Sequence, residues 1–526
     1  MDAKEILKFC LKNGLLIDRD LLNLFGETLD LETSKLLIEK IKLQTHKKFI
    51  TKRILNENKE KVNNIFLTFP EENKKHLEKL KIKLGLNIEI SKVSEVTEKH
   101  ISEEEIEGSS GEVKIISMPF FPGKKLGVKD FVNHFRNRFL TMKGFLESHS
   151  SLNNLVSINK ISGARQNFSI IGIVSDKRIT KNKNIIFEVE DLTGKLKVLV
   201  NKSNEELYKK AEEVCLDSVL GFRGSGNREI IFTNDIIFPE ANLLERKKSP
   251  KEEWVLFLGD LHFGSKNFLG QGFIRFLNYL QGKVPNTPEV DKIKYIFIVG
   301  DLITGVGNYP NQEKDLAIRD LENQFISFAN FLKEIRKDIK IIISPGNHEG
   351  VRLMEPQPLF DEKYAWALYN LPNVILTTNP AEVNIGVAKN FSGFNVLTYH
   401  GFSFSYYANN IPSLIEKGLN APEKIMKYLL RNRHLAPAHK SVQYFPSEED
   451  SLIIKDVPDI FVAAHTHKSS ISYYNNILIV SSSSWESKTP YQEKFGNEPD
   501  HCKVPMFNLK TRAVKVLDFE EDGDEN

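Results

Sequence analysis

Aspartate, asparagine and histidine side chains follow five short apolar runs in the second half of the chain. The runs read WVLFL, YIFIV, KIIIS, VLTY and IFVAA, and they lead into GDLH, GD, PGNHE, HG and HTH. Carboxylate oxygens together with imidazole nitrogens suit manganese, iron or zinc, whereas oxygens alone would suit magnesium or calcium. These strand ends offer two aspartates, one asparagine and five histidines as candidate metal ligands: Asp260, His262, Asp301, Asn347, His348, His400, His465 and His467.

The residue types favour two neighbouring ions rather than one. A carboxylate has two oxygens, so Asp301 can bridge two ions, and Asp260 and His262 can both face one of them. Two ions about 3.5–4 Å apart can clamp both sides of an in-line attack on phosphorus. Asn347 adds a neutral oxygen, which limits the negative charge that faces a phosphate. Each motif alone is common, but all of them in this order predict a site for phosphate chemistry.

The elements that carry these motifs predict an α/β domain over residues 246–518. Short β-rich runs alternate there with longer helical segments, and ligands of open α/β sheets bind beyond the carboxyl ends of the strands. We therefore expect the motifs to meet at one rim. An acidic tail, residues 519–526, follows the domain.

Residues 150–245 change to a period of two, which is typical of strands with one buried face. Phe187 and Val189 alternate with glutamates, and after a Leu-Thr-Gly turn Leu196 and Val198 alternate with lysines. Short strands on either side predict a small closed barrel that resembles an OB-fold, whose exposed face and loops often bind oligonucleotides. The basic loop SDKRITKNKN fits that role. A barrel that only docks other proteins is the alternative.

The N-terminal part of the chain has another character. Residues 1–90 carry apolar residues at helical spacing and predict a helical module with lysines on its polar faces. Residues 91–149 predict an acidic, flexible linker over 92–116, followed by a basic aromatic helix. That helix has a phenylalanine at every fourth position, a stripe that is more typical of a core face than of a stacking platform. The stripe consists of Phe131, Phe135 and Phe139.

Composition excludes several classes of protein. The chain has 526 residues, with 72 lysines and arginines against 70 aspartates and glutamates, and its formal net charge is +2. This balance excludes a simple polycation, although a local basic stripe would be enough to bind nucleic acid. The apolar fraction of 40% excludes a wholly disordered chain, and no run approaches the roughly 18 apolar residues of a membrane helix. Three distant cysteines and no visible signal peptide predict a cytoplasmic protein without membrane contact.

The motif order D-x-H, G-D, G-N-H-E, H-G, H-x-H resembles that of the calcineurin-like metallophosphoesterases. With a barrel directly ahead of this domain, the chain is similar over about 155–518 to the small subunits of archaeal family D DNA polymerases. The strings that carry this similarity are GDLITGVGNYPNQ, PGNHEGVRLMEPQP, RNRHLAPAH and SSSSWESKTPYQ. Two positions depart from common patterns: Ala464 replaces a frequent glycine before His465, and Thr304 replaces an aspartate found in many phosphatases.

The resemblance implies a multidomain protein in which a helical module and an OB-fold precede a layered β-sandwich flanked by helices. It implies two divalent metal ions, with Mn²⁺ expected and Fe, Zn or Mg as alternatives. One ion would be held by Asp260, His262, Asp301 and His467, and the other by Asp301, Asn347, His400 and His465. His348 would be the catalytic residue beside the metals, and Arg352 could contact phosphate. His434 and His439 are expected at the surface or along a substrate channel.

The resemblance also implies a function. It predicts the small subunit of a two-subunit archaeal replicative DNA polymerase, a metal-dependent 3′-5′ exodeoxyribonuclease that proofreads. The expected partners are the large catalytic subunit, in a heterodimer or larger assembly, and single-stranded 3′ ends of DNA, with a sliding clamp as a further candidate. The first alternative is a mainly non-catalytic scaffold for the large chain. The second is a stand-alone phosphodiesterase for small nucleotides, for which the barrel would have little use.

Overall fold

The computed structural model describes residues 3–18, 21–22, 24–25, 30–45, 49–50, 112–119, 125–494 and 496–520. The chain divides into two compact units, residues 1–105 and residues 106–526. The predicted helical module beyond residue 50, the linker up to residue 111 and the tail from residue 521 lie outside the described residues. No helix in the described segments is long and apolar enough to cross a membrane.

Two helices in the first unit pack through apolar residues. They are α1 (Ala3–Lys12) and α2 (Leu31–Thr45), and between and after them the short strands β1 (Leu16–Ile17) and β2 (Phe49–Ile50) pair in parallel. Apolar side chains three or four residues apart lie on one face of a helix, so each helix contributes one face to a common cluster. The buried members on the helices are Ile6, Cys10, Leu37, Ile38 and Ile41.

A short strand and a long helix come first in the second unit. The strand β3 (Val113–Ser117) pairs antiparallel with residues Ala381–Ile385, far along the chain. The prediction of a flexible linker over 92–116 is therefore wrong at its end, because the sequence Val-Lys-Ile-Ile-Ser completes the edge of a sheet there. The helix α3 (Val128–Glu147) lies where the basic aromatic helix was predicted.

The next strands close into a barrel, in the order β4-β5-β6-β8-β7. They are β4 (Gln166–Ile179), β5 (Ile185–Glu190), β6 (Lys195–Val200), β7 (Val219–Gly226) and β8 (Ile230–Ile237). Alternate side chains such as Phe187 and Val198 fill the interior, as the period of two predicts. A 3₁₀ turn (Ile158–Lys160) precedes the barrel, and helix α4 (Glu205–Glu212) connects β6 to β7.

Helix α3 packs on the side of the barrel formed by β4 and β7. Phe139 and Leu146 of the helix are buried in a cluster with Ile171 and Val219 of those strands. Phe131, at the start of the helix, is 39% exposed. The phenylalanine stripe is therefore a core face only toward its C-terminal end.

The remaining strands form two six-stranded sheets. They are β9 (Trp254–Leu258), β10 (Ile293–Val299), β11 (Lys340–Ser344), β12 (Val374–Leu376), β13 (Ala381–Ile385), β14 (Phe394–Tyr399), β15 (Ile460–Ala463), β16 (Ser470–Tyr474), β17 (Ile477–Ser481), β18 (Lys503–Asn508) and β19 (Val514–Asp518). The first sheet has the order β12-β11-β10-β9-β18-β19, and the second has the order β16-β17-β15-β14-β13-β3. Phe257 and Phe297 of the first sheet share one buried cluster with Val396 and Val462 of the second, so the sheets form a sandwich.

Helices cover both outer faces of the sandwich. They are α5 (Gly270–Leu280), α6 (Leu321–Leu332), α7 (Glu362–Tyr369), α8 (Phe404–Asn410), α9 (Pro412–Ile415) and α10 (Pro422–Asn432), with 3₁₀ turns at Val290–Lys292, Gln312–Lys314 and Gly418–Asn420. A further short helix, α11 (Pro490–Lys494), lies beside His467, whose Nδ1 is 2.7 Å from Gln492 Nε2. Phe273 of α5 and Phe328 of α6 pack on the first sheet. Tyr407 of α8 and Leu429 of α10 pack on the second. The result is an α/β structure with four layers.

The strands that lead into the five motifs are divided between the two sheets. β9, β10 and β11 are parallel neighbours in the first sheet, whereas β14 and β15 are parallel neighbours in the second. This division agrees with the layered β-sandwich that the resemblance implies. Because the two sheets pack face to face, the carboxyl ends of both groups of strands still meet at one edge of the sandwich.

Candidate metal centre

The backbone turns sharply where the strands deliver their polar side chains to this edge. Residues with a left-handed backbone are Asp260 (φ 50°), His262 (φ 48°), Asp301 (φ 49°), His465 (φ 69°) and His467 (φ 58°). Two glycines allow the segments to approach closely. A Cβ at Gly300 would lie 2.3 Å from His400 Nδ1, and one at Gly346 would lie 2.4 Å from Asp301 Oδ1. The glycines before the aspartate and asparagine motifs therefore make room for the ligands themselves.

Asp260, His262 and His467 form the first group of candidate ligands. One ligand atom from each lies within 4.8 Å of the others, and all three side chains are buried. His262 Nε2 faces His467 Nε2 at 3.0 Å, and His467 Nε2 lies 3.9 Å from Asp260 Oδ1. Three donors thus converge from the ends of β9 and β15.

Asp301, Asn347, His400 and His465 form the second group. His400 Nε2 lies 3.3 Å from Asp301 Oδ2 and 3.0 Å from Asn347 Oδ1. His465 Nδ1 lies 3.2 Å from the same His400 nitrogen. The ends of β10, β11, β14 and β15 therefore bring two oxygens and two ring nitrogens to one point.

Asp301 and His348 lie between the two groups. His262, Asp301 and His348 also have ligand atoms within 4.8 Å of one another. The His348 backbone N–H donates to Asp301 Oδ1 at 3.0 Å, and His348 Nε2 lies 3.8 Å from Asp301 Oδ2. His348 Nδ1 lies 2.7 Å from the Thr304 carbonyl, which fixes the ring, and the side chain keeps 18% of its surface exposed.

The donor set fits divalent cations. Asp260 Oδ2 and His262 Nδ1 are buried without a hydrogen-bond partner among the described residues. A buried, unpartnered carboxylate oxygen is costly, and a cation would satisfy it. Two carboxylates, an amide oxygen and four imidazoles form a mixed oxygen and nitrogen set, which suits manganese, iron or zinc.

The surroundings of the histidine rings shift their pKa values, which decides whether each ring is in the neutral form that binds metals. Burial lowers the pKa of His262 to about 3 and that of His465 to about 3, and it lowers the pKa of His467 well below its usual value. These rings are therefore neutral at physiological pH, the form in which histidine binds metals. Burial would also lower the pKa of His400, but the Asp301 carboxylate outweighs it and raises that pKa to about 10. A cation bound between them would take over the compensation that the His400 proton provides.

The pKa values of the two buried aspartates shift in opposite directions. Burial raises the pKa of Asp260 well above its usual value. For Asp301, burial acts in the same direction, but the neighbouring His400 and His348 outweigh it and hold the pKa well below the usual value. Asp301 is therefore the ionised carboxylate at the centre of the site, as a bridging ligand must be.

Glu349, the last residue of the GNHE motif, was not among the predicted site residues. Its buried carboxylate accepts hydrogen bonds from the backbone N–H groups of Leu302 at 2.5 Å and Gly346 at 2.6 Å. It therefore ties the loop that carries Asp301 to the loop that carries Asn347. Its place in the motif was a signal that could have revealed it.

Gln357 and Asn379 also position ligands without having been predicted. Gln357 Nε2 donates to the Gly346 carbonyl at 2.7 Å, and Gln357 Oε1 accepts from Asn379 Nδ2 at 2.7 Å. Asn379 Oδ1 accepts from the His400 backbone N–H at 2.8 Å. This buried pair sets the distance between Asn347 and His400. No local pattern marks either residue, since both act on segments far away in the sequence.

Three further residues singled out in the sequence have the following surroundings. Arg352 donates to the Pro356 carbonyl at 3.0 Å, and its guanidinium lies 4.6 Å from the centre of the Phe445 ring. Its contact with phosphate stays a prediction. His439 is exposed, as expected. His434 is buried and lies 3.0 Å from an Asp450 oxygen, so its expected place at the surface or along a channel is wrong.

Comparisons with known proteins show which families this chain resembles. The calcineurin-like phosphoesterase family matches residues 254–469. The DNA polymerase II small subunit of Pyrococcus furiosus is 36% identical over 402 residues, which cover 74% of this chain and 64% of that protein, just under two thirds of its length. The DNA polymerase II small subunit of Methanothermobacter thermautotrophicus is 33% identical over 396 residues, which cover 74% of this chain and 80% of that protein.

A solved structure of an archaeal phosphodiesterase gives a weaker match. It covers 50% of this chain and 98% of its own, with 9% identity and a TM-score of 0.26.

Proposed function

Since this chain belongs to the family of DNA polymerase II small subunits and contains a calcineurin-like phosphoesterase domain, we propose that it hydrolyses DNA phosphodiesters from 3′ ends. The observation that carries the proposal is the complete ligand set around Asp301, which five strand ends of two sheets assemble. We assign Asp260, His262 and His467 to one ion and Asn347, His400 and His465 to the other. Asp301 is the shared ligand.

Two divalent ions at this rim would polarise the phosphate and activate the attacking water. Manganese is the ion that we expect first, and iron, zinc or magnesium are alternatives. The chain's own contribution is to fix the donors. Asp301 stays ionised between the two groups, and Asn347 adds an oxygen without adding charge.

His348 is the residue that we propose for proton transfer. Its Nδ1 is bound to the Thr304 carbonyl at 2.7 Å, so that nitrogen carries a proton and Nε2 points toward Asp301. The ring is the partly exposed one beside the ligands, where a substrate can reach it. A proton on Nε2 can pass to the oxygen that leaves phosphorus, or it can stabilise negative charge there.

The intact ligand set favours hydrolysis over a purely structural role. A scaffold has no need for a buried carboxylate oxygen without a partner, and retaining Asp260 in that state opposes folding. A scaffold that has lost its chemistry is therefore the less favoured candidate. In the assembled polymerase, removal of 3′-terminal nucleotides would serve as proofreading.

We further propose that the barrel is an OB-fold and that the chain pairs with a large polymerase subunit. The strand order of the barrel, with the third strand beside the fifth, supports the first proposal. On this reading residues 150–245 form the barrel domain and residues 246–518 the phosphoesterase domain. The family supports the second proposal.

The test of hydrolysis uses the purified full chain and a single strand labelled at its 5′ end. We expect a ladder that shortens from the 3′ end with manganese, and no ladder with Asp301→Ala. Asp291→Ala is the matched control, because the Asp291 side chain is 96% exposed. An Asp301→Ala protein that still shortens the strand, or that still binds two ions in a metal analysis, would contradict the bridging role.

The test of pairing compares the full chain with residues 111–526, which keep β3 and the sheet edge that it completes. We expect both to retain the co-expressed large chain in a pull-down. A truncated chain that stays folded and active but loses the large chain would place the docking surface in the N-terminal module instead.

A further inference from the structure

One end of the sandwich carries a group of lysines and arginines. It is the end at which β9 and β14 begin, since Trp254 pairs with Asn508, the last residue of β18, and Phe394 pairs with Ile385, the last residue of β13. The candidate metal ligands follow the other ends of β9 and β14, so this group lies at the opposite end of the sandwich. We name it the basic end, and its side chains are Arg246, Lys247, Lys248, Lys389, Lys510 and Arg512.

Hydrogen bonds join the segments that carry these side chains. The Ser249 backbone N–H, in the segment before β9, donates to the Leu509 carbonyl, in the turn between β18 and β19, at 2.8 Å. Lys247 Nζ donates to the Gly393 carbonyl, in the turn between β13 and β14, at 3.3 Å. Arg512 Nη1 donates to the Lys247 carbonyl at 2.8 Å. The basic end is therefore one connected surface rather than a set of separate loops.

Tyr473 holds two arginines of the basic end. The guanidinium of Arg246 lies 4.5 Å from the centre of the Tyr473 ring, and its Nε donates to Asn476 Oδ1 at 3.1 Å. The guanidinium of Arg512 lies 5.9 Å from the centre of the same ring and 5.2 Å from the centre of the Phe507 ring. Arginine planes stack on aromatic rings, and such contacts restrict a long side chain. The two positive charges are therefore held in place before any ligand binds.

Acidic neighbours do not cancel the charge of the basic end. Asp459 is paired with Lys247 at 2.7 Å, and Glu252 is paired with Lys292 at 2.9 Å. The side chains of the basic end that have no ion pair among the described residues are Arg246, Lys248, Lys389, Lys510 and Arg512. They outnumber the exposed acids of the adjoining segments, which are Glu112, Glu245 and Asp456. The balance of exposed charge is therefore positive.

We propose that the basic end binds the phosphate backbone of double-stranded DNA. Arg246, Lys389 and Lys510 contact phosphates, which fixes the position of a duplex without reading its sequence. Arginines occupy the Tyr473 ring, so it offers no open surface for the stacking of bases, and this favours a duplex over a single strand. A duplex also presents a dense, regular row of charge that several basic turns can contact together.

The proposal rests on the proposed function for its substrate. A 3′ end that reaches the metal rim continues into double-stranded DNA in a primer and template, and the basic end would hold that part away from the metal ligands. An acidic segment of a protein is the other polyanion that a basic surface could bind, and the experiment separates the two.

Fluorescence anisotropy of a labelled blunt duplex measures binding over a series of salt concentrations. It uses the full chain in a chelator, so that binding is separated from hydrolysis. Lys389→Ser and Lys510→Ser should each reduce the slope of log affinity against log salt by about 0.9, the value for one phosphate contact with a duplex. The double variant should reduce it by about 1.8. Two duplexes of unrelated sequence should give the same result, because phosphate contacts carry no sequence information.

Lys417→Ser is the matched control, because Lys417 is an exposed lysine between α9 and α10, outside the segments of the basic end. It should leave affinity and salt slope as in the parent, and thermal melting should show that all variants are folded. A parent that does not bind the duplex, or parental slopes in both lysine variants, would overturn the proposal. Labelled polyglutamate is the second probe. Lysine variants that lose polyglutamate but bind the duplex as the parent does would also overturn it, in favour of an acidic protein segment.

The outcome is independent of catalysis. If the parent hydrolyses no diester with any metal, but both lysine variants still reduce the salt slope in the chelator, the basic end is supported and the proposed hydrolysis is not. If hydrolysis is seen and both variants bind the duplex as the parent does, the proposed hydrolysis is supported and the basic end is not.

Discussion

Two fully buried aspartates show how differently this molecule uses the same side chain. Asp450 Oδ2 accepts from Arg138 Nε at 2.6 Å and lies 3.0 Å from His434 Nε2, and its Oδ1 accepts from the Leu452 backbone N–H at 3.1 Å. Asp260 has one oxygen without a hydrogen-bond partner among the described residues. Both clusters contain histidines, and both aspartate side chains are inaccessible to solvent.

The pKa values of the two aspartate carboxyl groups reflect this difference. Burial raises the pKa of Asp260 well above its usual value. Burial acts in the same way on Asp450, but Arg138 and His434 outweigh it and hold that pKa well below the usual value. Asp450 is held ionised by an arginine and a histidine, whereas the open oxygen of Asp260 lies in a group of converging candidate ligand atoms. The convergence of several ligand atoms, rather than composition or burial, distinguishes the candidate metal site from the structural cluster.

The largest expected effect comes from making the same change at both aspartates. Asp260→Asn should abolish hydrolysis and weaken metal binding while leaving the metal-free protein about as stable as the parent, because the amide fills the same space and cannot carry the negative charge that burial opposes. Asp450→Asn should keep both metals but lower the melting temperature. Metal analysis and thermal melting of both variants test this contrast. Equal melting temperatures of the two metal-free variants would contradict it.

The next effect concerns His348, which lies at the metal centre but is assigned to chemistry rather than to binding. His348→Ala should keep both metals and reduce hydrolysis by about 10²–10⁴-fold, the range of a general acid. Single-turnover rates measure the loss of hydrolysis, and metal analysis shows whether both ions remain bound. Metal loss in this variant would make His348 a ligand.

Arg138 tests the satisfied cluster. Arg138→Leu leaves the buried Asp450 carboxylate without its main counter-charge, and breaking such a pair costs about 3–5 kcal/mol. Denaturant unfolding of the full chain measures the loss. Arg136→Leu, on the exposed side of the same helix, is the matched control and should change stability little. Similar losses in both variants would show that the cluster stabilises less than its geometry indicates.

The buried His434 should make the stability of the protein depend on pH. Burial lowers its pKa to about 4, so the unfolded state takes up a proton from about pH 6.5 downward while the folded state does not until about pH 4. The free energy of unfolding should be highest above pH 6.5 and should fall by about 3 kcal/mol as the pH is lowered from about 6.5 to about 4. Melting temperatures of the parent and His434→Gln over this window give the comparison. Parallel curves would exclude His434 as the titrating group.

The smallest expected effect concerns the residues that hold the ligands. Asn379→Leu removes the acceptor of the His400 N–H and the donor to Gln357, and loss of such an outer contact typically weakens metal binding by about 10–100-fold. Titration of metal into the stripped protein should show one weakened site and one unchanged site. Asn409→Leu, at an exposed position on α8, is the control. Two equally weakened sites would mean that Asn379 supports the whole rim.

The sequence allowed the candidate ligands to be predicted because each follows a β-rich run closely. Asp301 after YIFIV and His400 after VLTY lie one or two residues beyond a strand, and strand ends meet in space. Their division between two sheets could not be predicted from the runs, since a buried strand has the same composition in an open sheet and in a sandwich.

Residues that act through distant contacts were missed or misread. His434 was read as a surface residue because its loop is basic, but it is buried against Asp450, 16 positions away, which in turn accepts from Arg138 far upstream. Gln357 and Asn379 have no motif of their own. The strand β3 was not predicted because it follows an acidic stretch and has only five residues. Its pairing partner, β13, lies far along the chain, so no local pattern indicates the pairing.

The left-handed backbones of Asp260, His262, Asp301, His465 and His467 have an evolutionary consequence. A residue with a side chain is held in that conformation at a cost on the order of 1 kcal/mol, whereas glycine adopts it freely. A lineage released from selection for hydrolysis would therefore have no chemical reason to keep these residue types, and glycine would remove the backbone cost at each position. Substitution of these five residues in related chains would therefore mark the lineages that have lost the chemistry.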